Sequence, residues 1–156
     1  MARPYAVDAD LVALIPDILE HGVLTWAPEL ALASSDVLNK IKAGWWPQAV
    51  AQTYGALGET VDFGPTAPTL DEANINDAAL KLITCYRALE HYIFPKLSAD
   101  QDDNGNAFTR KAERYANFFQ QEWEVIKNLP LYDFNGDAQF TDIERRGPIR
   151  RRLHRG

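Results

Sequence analysis

The sequence has few of the residues that usually carry catalysis or covalent cross-links. Its 156 residues include one cysteine, three serines and three histidines. The histidines (His21, His91 and His154) lack metal-ligand spacing, no serine lies in a nucleophile elbow, and no glycine-rich loop could cradle a phosphate. Cys85 alone excludes an internal disulfide, and its apolar-periodic surroundings predict a buried, inert thiol. We therefore predict a protein without catalytic activity or cofactors.

Long apolar runs are also missing. No stretch approaches the roughly 18 consecutive apolar residues that a membrane span requires, and Met1–Asp10 lacks the basic and apolar parts of a signal peptide. Apolar residues make up 46% of the chain and charged residues 24%, the balance of a globular protein. The sequence thus predicts one folded domain with neither a membrane partner nor secretion.

Two helices are predicted in the first third of the chain. Asp8–Glu20 has a capping aspartate and one apolar stripe, with a kink or split expected at Pro16. The second helix is predicted from Ser35 or Asp36 to about Trp45, capped by Ser34 or Ser35 and stopped by Gly44 and Pro47. The predicted buried positions of the two helices are Leu11, Leu14, Ile15, Ile18, Leu19, Val37, Leu38 and Ile41.

A tryptophan pair and a long irregular segment follow. Trp45 and Trp46 are adjacent, so a regular helix cannot direct both rings into one core. Gln48–Thr69 is rich in glycine and proline and has no sustained period, apart from a weak strand signal at Val61 and Phe63. Structureless connections of this length tend to be functional or disordered. We predict an extended arm over 48–69 and assign both tryptophans to a partner contact.

Two longer amphipathic helices are predicted beyond the arm. The first spans Asp71 to about Phe94 and is ended by Pro95; the second spans Phe108 or Thr109 to Leu129 and is ended by Pro130. Their predicted inward faces are Ile75, Ala78, Ala79, Leu82, Ile83, Tyr86, Leu89 and Ile93, and then Ala112, Tyr115, Phe118, Phe119, Trp123, Ile126 and Leu129. The fold class is therefore mainly α, with four helices.

Charge is divided sharply between the body and the end of the chain. The residues up to Glu144 contain all 22 acidic side chains and ten of the 16 basic ones, whereas the last twelve residues contain six arginines and no acid. Such a split marks an interaction tail or a solubilising end; the interleaved apolar residues favour binding to an acidic protein groove or to nucleic acid. The residues assigned to this contact are Arg146, Ile149, Arg150, Arg151, Arg152, Leu153 and Arg155.

One twelve-residue segment has the spacing of a calcium loop. Asp133, Asn135, Asp137 and Glu144 occupy the first, third, fifth and last positions, which supply oxygen ligands in an EF-hand. Ala138 stands where the sharp turn requires glycine, and the preceding helix is predicted to end early, at Pro130. A metal-free turn is therefore favoured, with a calcium site as the alternative.

The order of these elements resembles the bacteriophage head–tail connector (adaptor) family. The resemblance rests on Tyr5–Leu14, which begins an aspartate-capped first helix, on the arm, on the helix pair containing Ala78–Leu89 and Lys111–Trp123, and on the arginine-rich tail. It covers most of the chain as a layout and includes no diagnostic motif. The calcium-like loop and the tryptophan pair have no counterpart in it.

The resemblance implies a structural part of the virion. Family members form a ring, expected to be a dodecamer, at the head–tail junction; they assemble in the host cytoplasm and dock a C-terminal segment on the portal protein. It implies a helical adaptor domain over residues 1–144 and a docking tail over 145–156. The other expected partners are a tail-completion or stopper protein and passing double-stranded DNA, which an acidic body would not bind specifically. A calcium-dependent interaction module that uses the Asp133–Glu144 loop is the alternative function.

Overall fold

The computed structural model describes residues 3–50, 69–99 and 105–133. These ranges are mainly helical, as predicted, and their β-structure is limited to an isolated antiparallel bridge between Ile75 and Tyr132. They fall into two compact units. Unit 1 contains residues 3–39, 77–99 and 105–126; unit 2 contains residues 40–50, 69–76 and 127–133. The predicted domain boundary at residue 144 and the arm residues 51–68 lie outside the described ranges.

Helix α1 spans Asp8–Leu14 and is shorter than predicted. Ile15 is extended and residues 16–19 form turns, because Pro16 cannot continue the hydrogen-bond ladder. Asp8 does not cap its own helix. Asp10 accepts a hydrogen bond from the Val7 amide (2.9 Å), whereas Asp8 accepts from the Trp26 amide (2.9 Å) and so supports the start of the next helix.

Helix α2 spans Ala27–Lys40 and begins eight residues before the predicted start. The predicted caps are wrong: the Ser34 and Ser35 hydroxyls lie inside the helix and donate to carbonyl oxygens four residues earlier. The start is instead set by Asp8 and by Thr25, whose hydroxyl accepts from the Ala27 amide (3.1 Å). Pro28 in the first turn was the sequence signal for this start.

Two prolines that were predicted to stop helices lie inside helical segments. A π-helical turn spans Ile41–Trp45, and residues 46–50, including Pro47, continue as helix. A second π-helical turn spans Leu89–Ile93, and helix α4, Phe94–Ala99, continues through Pro95. Part of the predicted arm, residues 48–50, is therefore helical.

Helix α3 spans Asp77–Ala88, so the predicted start at Asp71 is also wrong. Glu72–Asn74 form a separate 3₁₀ turn, capped by the Asp71 carboxylate, which accepts from the Ala73 amide (2.9 Å). The predicted inward face of α3 is only partly correct. Leu82 is exposed while Leu80 and Cys85 are buried, because α3 contacts both α1 and the final helix.

Helix α5 spans Gly105–Ile126 and completes the core of unit 1. It packs against α3, the second π turn and α4. Its predicted face is confirmed at Phe119, Trp123 and Ile126, which are buried, whereas the other predicted positions are half-buried: Ala112, Tyr115, Phe118 and Leu129. The core of unit 1 is one cluster of buried residues: Ala6, Leu11, Ile18, Trp26, Leu30, Ala33, Cys85, Ala88, Leu89, Ile93, Phe94, Leu97 and Phe108.

Candidate functional site

The tryptophan pair lies at the end of the first π turn, in unit 2. Trp45 is 8% exposed, whereas Trp46 is half-buried. The two ring centroids are 6.4 Å apart at an interplanar angle of 38°. Trp46 therefore provides the accessible ring of the pair, and the assignment of both residues to a partner contact stays a prediction.

Tyr132 completes this aromatic site, although no pattern in the sequence predicted it. Its ring lies 4.7 Å from that of Trp46. Its hydroxyl oxygen accepts long hydrogen bonds from the Asp71 amide (3.4 Å) and from Nδ2 of Asn74 (3.5 Å). The only sequence signal was an aromatic residue two positions after Pro130, which by itself does not indicate a partner.

A short backbone ladder holds Tyr132 in place. The Asn76 amide donates to the Leu131 carbonyl and the Asp133 amide donates to the Asn74 carbonyl, each over 2.9 Å. The Asn76 side chain also donates to the Pro130 carbonyl (3.2 Å). These bonds join two segments that are more than fifty residues apart in the sequence, so the ring of Tyr132 is positioned by backbone pairing.

The predicted calcium ligands are described only at their first member. Asp133 is 4% exposed, and its amide belongs to the ladder beside Tyr132. Asn135, Asp137 and Glu144 lie outside the described residues, as do the tail positions from Arg146 to Arg155. In the part of the chain that the structure describes, no group of three or more His, Cys, Asp or Glu side chains could hold a metal.

Unit 1 has a second aromatic surface, which we call the aromatic patch: Tyr86 of α3 with Tyr115 and Phe118 of α5. The three ring centroids lie 5.5–5.8 Å from one another, and all three side chains are half-buried. The Arg114 guanidinium carbon lies 5.2 Å from the centre of the Phe118 ring. Burial raises the pKa of both tyrosines, and the Glu122 carboxylate adds to the rise for Tyr86.

A network of Asp36, Arg87, Glu90 and Tyr92 connects α2 to α3 and to the π turn that follows it, inside unit 1. Nε of Arg87 donates to Asp36 over 2.8 Å, its Nη1 donates to Glu90, and the Tyr92 hydroxyl donates to the same Asp36 oxygen over 2.9 Å. Burial lowers the pKa of Arg87, but the hydrogen bonds to Glu90 and Asp36 outweigh that effect, so its pKa is raised. The charged members of the network are paired with one another, which suits a structural role.

Cys85 has the environment of a structural thiol. Its side chain is buried in the core of unit 1. Burial, with the nearby Asp10 carboxylate, raises its pKa to about 12. Because the thiolate is the reactive form, Cys85 is not activated as a nucleophile, and the prediction of a buried, inert thiol is confirmed.

Comparison with known proteins adds no relative: no family model, curated protein or solved structure matches the chain. Among the described helices, none combines the length and the apolar character needed to cross a membrane.

Proposed function

We propose that this protein is a structural head–tail connector of a tailed bacteriophage, which forms a ring between the portal and the tail-completion or stopper proteins. DNA would pass through the ring without specific binding. The observation that carries the proposal is the charge split, with a net charge of −12 up to Glu144 and +6 in the last twelve residues.

The charge split supports two separate tasks. An acidic body offers few cations to the DNA phosphates, so it would not retain a passing duplex. An arginine-rich tail binds carboxylates through bidentate hydrogen bonds and therefore suits an acidic groove on another protein. Isolated surface ion pairs each contribute roughly 0–1 kcal/mol, so Ile149 and Leu153 are proposed to add apolar contacts to the same groove.

The described body is consistent with a scaffold. Unit 1 has a continuous apolar core of helices, and the partly buried charges of Asp36, Arg87 and Glu90 are paired with one another. Unit 2 places the half-buried ring of Trp46 beside Tyr132. Tyrosine and tryptophan are enriched in the centres of protein interfaces, and Trp46 is the proposed anchor for a partner.

The test uses the full-length chain and the portal protein of the same phage. Removing the residues after Gly147 should abolish co-sedimentation with portal rings and leave the melting temperature unchanged. A matched variant, Ile149→Ser with Leu153→Ser, keeps every arginine and should weaken attachment without changing its dependence on salt. Normal attachment of the truncated chain, or retention of duplex DNA by the tail at physiological salt, would contradict the proposal.

The spacing of Asp133, Asn135, Asp137 and Glu144 favours a second candidate, a calcium-dependent interaction module. Calcium that binds only the folded chain raises its melting temperature by mass action. A rise that Glu144→Gln abolishes would support this candidate, and we expect none in the unchanged protein. Asp133→Asn is a poorer probe, since Asp133 is buried in the described structure.

A further inference from the structure

The loop between α1 and α2 presents an exposed leucine on an anchored frame. Leu24 is 96% exposed. Nε1 of Trp26 donates to the Ile18 carbonyl over 3.1 Å, and both of these side chains are fully buried. His21 packs edge-on against Phe108, with ring centroids 5.5 Å apart. The loop is thus held at its two ends and in its middle, in the manner of a compact Ω-loop.

A lone exposed leucine is ordinary on a protein surface; the setting of Leu24 is not. Because the loop is already anchored, a contact made through Leu24 costs little ordering entropy. Asp17 and Glu20 are exposed on the same loop. Other carboxylates of α1 and α2 are paired with cations: Asp10 with Lys81, Glu29 with Lys96 and Asp36 with Arg87. The negative charge on the loop of Leu24 therefore comes from Asp17 and Glu20.

The aromatic patch has the complementary character. Tyr86, Tyr115 and Phe118 offer half-buried rings, and Leu82, one turn before Tyr86 on α3, is 37% exposed. On α5, Arg110, Lys111 and Arg114 precede Phe118 and are exposed; the acidic residues nearby are Glu113 and Glu122. The excess of positive charge thus lies on the N-terminal side of Phe118.

We infer that the Leu24 loop of one copy docks on the aromatic patch of a second copy, with Asp17 and Glu20 facing Arg110 and Arg114. This inference rests on the proposed ring and names the contact that would build it. The two surfaces are different parts of the same unit, so the contact is heterologous. Repeated heterologous contacts form a closed ring when the rotation between successive copies divides a full turn, and an open filament otherwise. A leucine among aromatic rings with a charged rim has the anatomy of a protein interface.

Directed cross-linking tests the contact. A full-length chain with Leu24→Cys is mixed with one carrying Arg114→Cys and is mildly oxidised. Cys85 does not compete, since it is buried and its pKa is raised to about 12. The mixed disulfide should form about tenfold more than in a control mixture with Leu32→Cys; Leu32 is an exposed leucine on α2. Equal yields in the two mixtures would overturn the contact.

Charge reversal provides the second test. Asp17→Arg with Glu20→Arg should prevent ring formation by the full-length chain, and Arg110→Glu with Arg114→Glu should do the same. A chain that carries both pairs of reversals should form rings again. All four side chains are exposed, so the melting temperature should change only by the loss of the Arg114 contact with the Phe118 ring. Absence of recovery in the combined variant would overturn the inference.

The two tests separate this inference from the proposed function. A ring that forms on the portal but is indifferent to Leu24→Ser and to the charge reversals would overturn the contact alone. A chain that remains monomeric both by itself and with its portal would overturn the ring, and this contact with it.

Discussion

The two proline-containing helical segments make the most informative comparison within the molecule. In each, a five-residue π turn is followed by an aromatic residue and then a proline: Trp46-Pro47 after Ile41–Trp45, and Phe94-Pro95 after Leu89–Ile93. In each, the aromatic amide donates to the carbonyl five residues earlier. Proline lacks an amide and clashes with the preceding turn of a regular helix, and the wider π turn relieves that clash.

The difference between the two segments lies in what surrounds the aromatic residue. Phe94 is 1% exposed and packs against Phe108 and Tyr115, with ring centroids 6.1 and 5.6 Å away. Trp46 is half-buried and contacts Tyr132, with the two ring planes inclined at 60°. The same backbone feature, a π turn followed by an aromatic residue and a proline, therefore lies in the closed core of unit 1 and at an accessible aromatic site of unit 2.

Replacing Phe94 or Trp46 with alanine should give the largest difference in stability between the two segments. Phe94→Ala removes a fully buried ring and should lower the free energy of unfolding by about 3–5 kcal/mol. Trp46→Ala removes a ring that is already partly in water and should cost about 1–2 kcal/mol. Urea denaturation of both variants measures this; a larger loss for Trp46→Ala would reverse the comparison.

Shortening each π turn tests whether it compensates for the proline. Deleting His91, an exposed residue of the second π turn, would place Pro95 in a regular turn and should cost about 3 kcal/mol. Adding Pro95→Ala to the deletion should recover most of that loss. Deletion of Ala43 with and without Pro47→Ala is the matched pair in the other segment. If the deletion lowers the free energy of unfolding equally with and without the proline, the π turn does not compensate for the proline.

The helices that precede the π turns each bury a hydroxyl, and the two hydroxyls differ. The Ser34 oxygen in α2 accepts from the Tyr5 amide (3.0 Å) and donates to the Leu30 carbonyl (2.8 Å). The Thr84 hydroxyl in α3 is buried with no hydrogen-bond partner among the described residues. Ser34→Ala should therefore destabilise the fold by about 2 kcal/mol and Thr84→Val should stabilise it by up to about 1 kcal/mol. Thermal unfolding measures the direction of each change in stability. A loss of stability with Thr84→Val would show that the Thr84 hydroxyl is not a cost to the fold.

A change of similarly small size is expected from a pH dependence of Cys85, next to Thr84. Its pKa rises from 9.0 to about 12 on folding, so above pH 9 the unfolded chain binds fewer protons than the folded chain. This contribution to stability is complete below pH 9 and falls by about 1.4 kcal/mol per pH unit toward pH 12. Between pH 8 and pH 10 the free energy of unfolding of the unchanged protein should fall by about 1.4 kcal/mol more than that of Cys85→Ala. Both chains keep the tyrosines with raised pKa values, although Cys85→Ala removes a minor contribution of Cys85 to the raised pKa of Tyr86. Identical losses in the two chains would show that the thiol does not contribute.

Patterns that repeat along the chain were predicted well. Helix α5 lies within a few residues of its predicted bounds because its apolar period runs through many turns. Val37, Leu38 and Ile41 are buried as predicted. The start of α2 was predicted eight residues late. Part of its support comes from Asp8, eighteen positions before Trp26, which a local window does not show; the local signal from Pro28 was not used.

The candidate sites also divide into those that the sequence indicates and those that depend on packing. The arginine tail and the calcium-like spacing are visible in the sequence alone, and both extend beyond the described residues. The aromatic patch was not predicted as a surface: Tyr86, Tyr115 and Phe118 were all placed on inward faces. Their half-burial depends on how α3 and α5 pack against each other, and a helical period indicates which side is apolar without indicating how much of it the neighbour covers.

The sequence by itself determined the helical class, the acidic body, the basic tail and the inert thiol, because composition and apolar period act within one segment of the chain. Tertiary structure decided whether Pro47 and Pro95 end their helices, which ring of the tryptophan pair is accessible, and where Leu24 is exposed. Each of these depends on contacts beyond a single helical turn, such as the bond from Trp26 to Ile18 and the contact between the Trp46 and Tyr132 rings. Packing free energy from such contacts exceeds the local preference of a single proline or leucine, and that preference is all that a sequence window reveals.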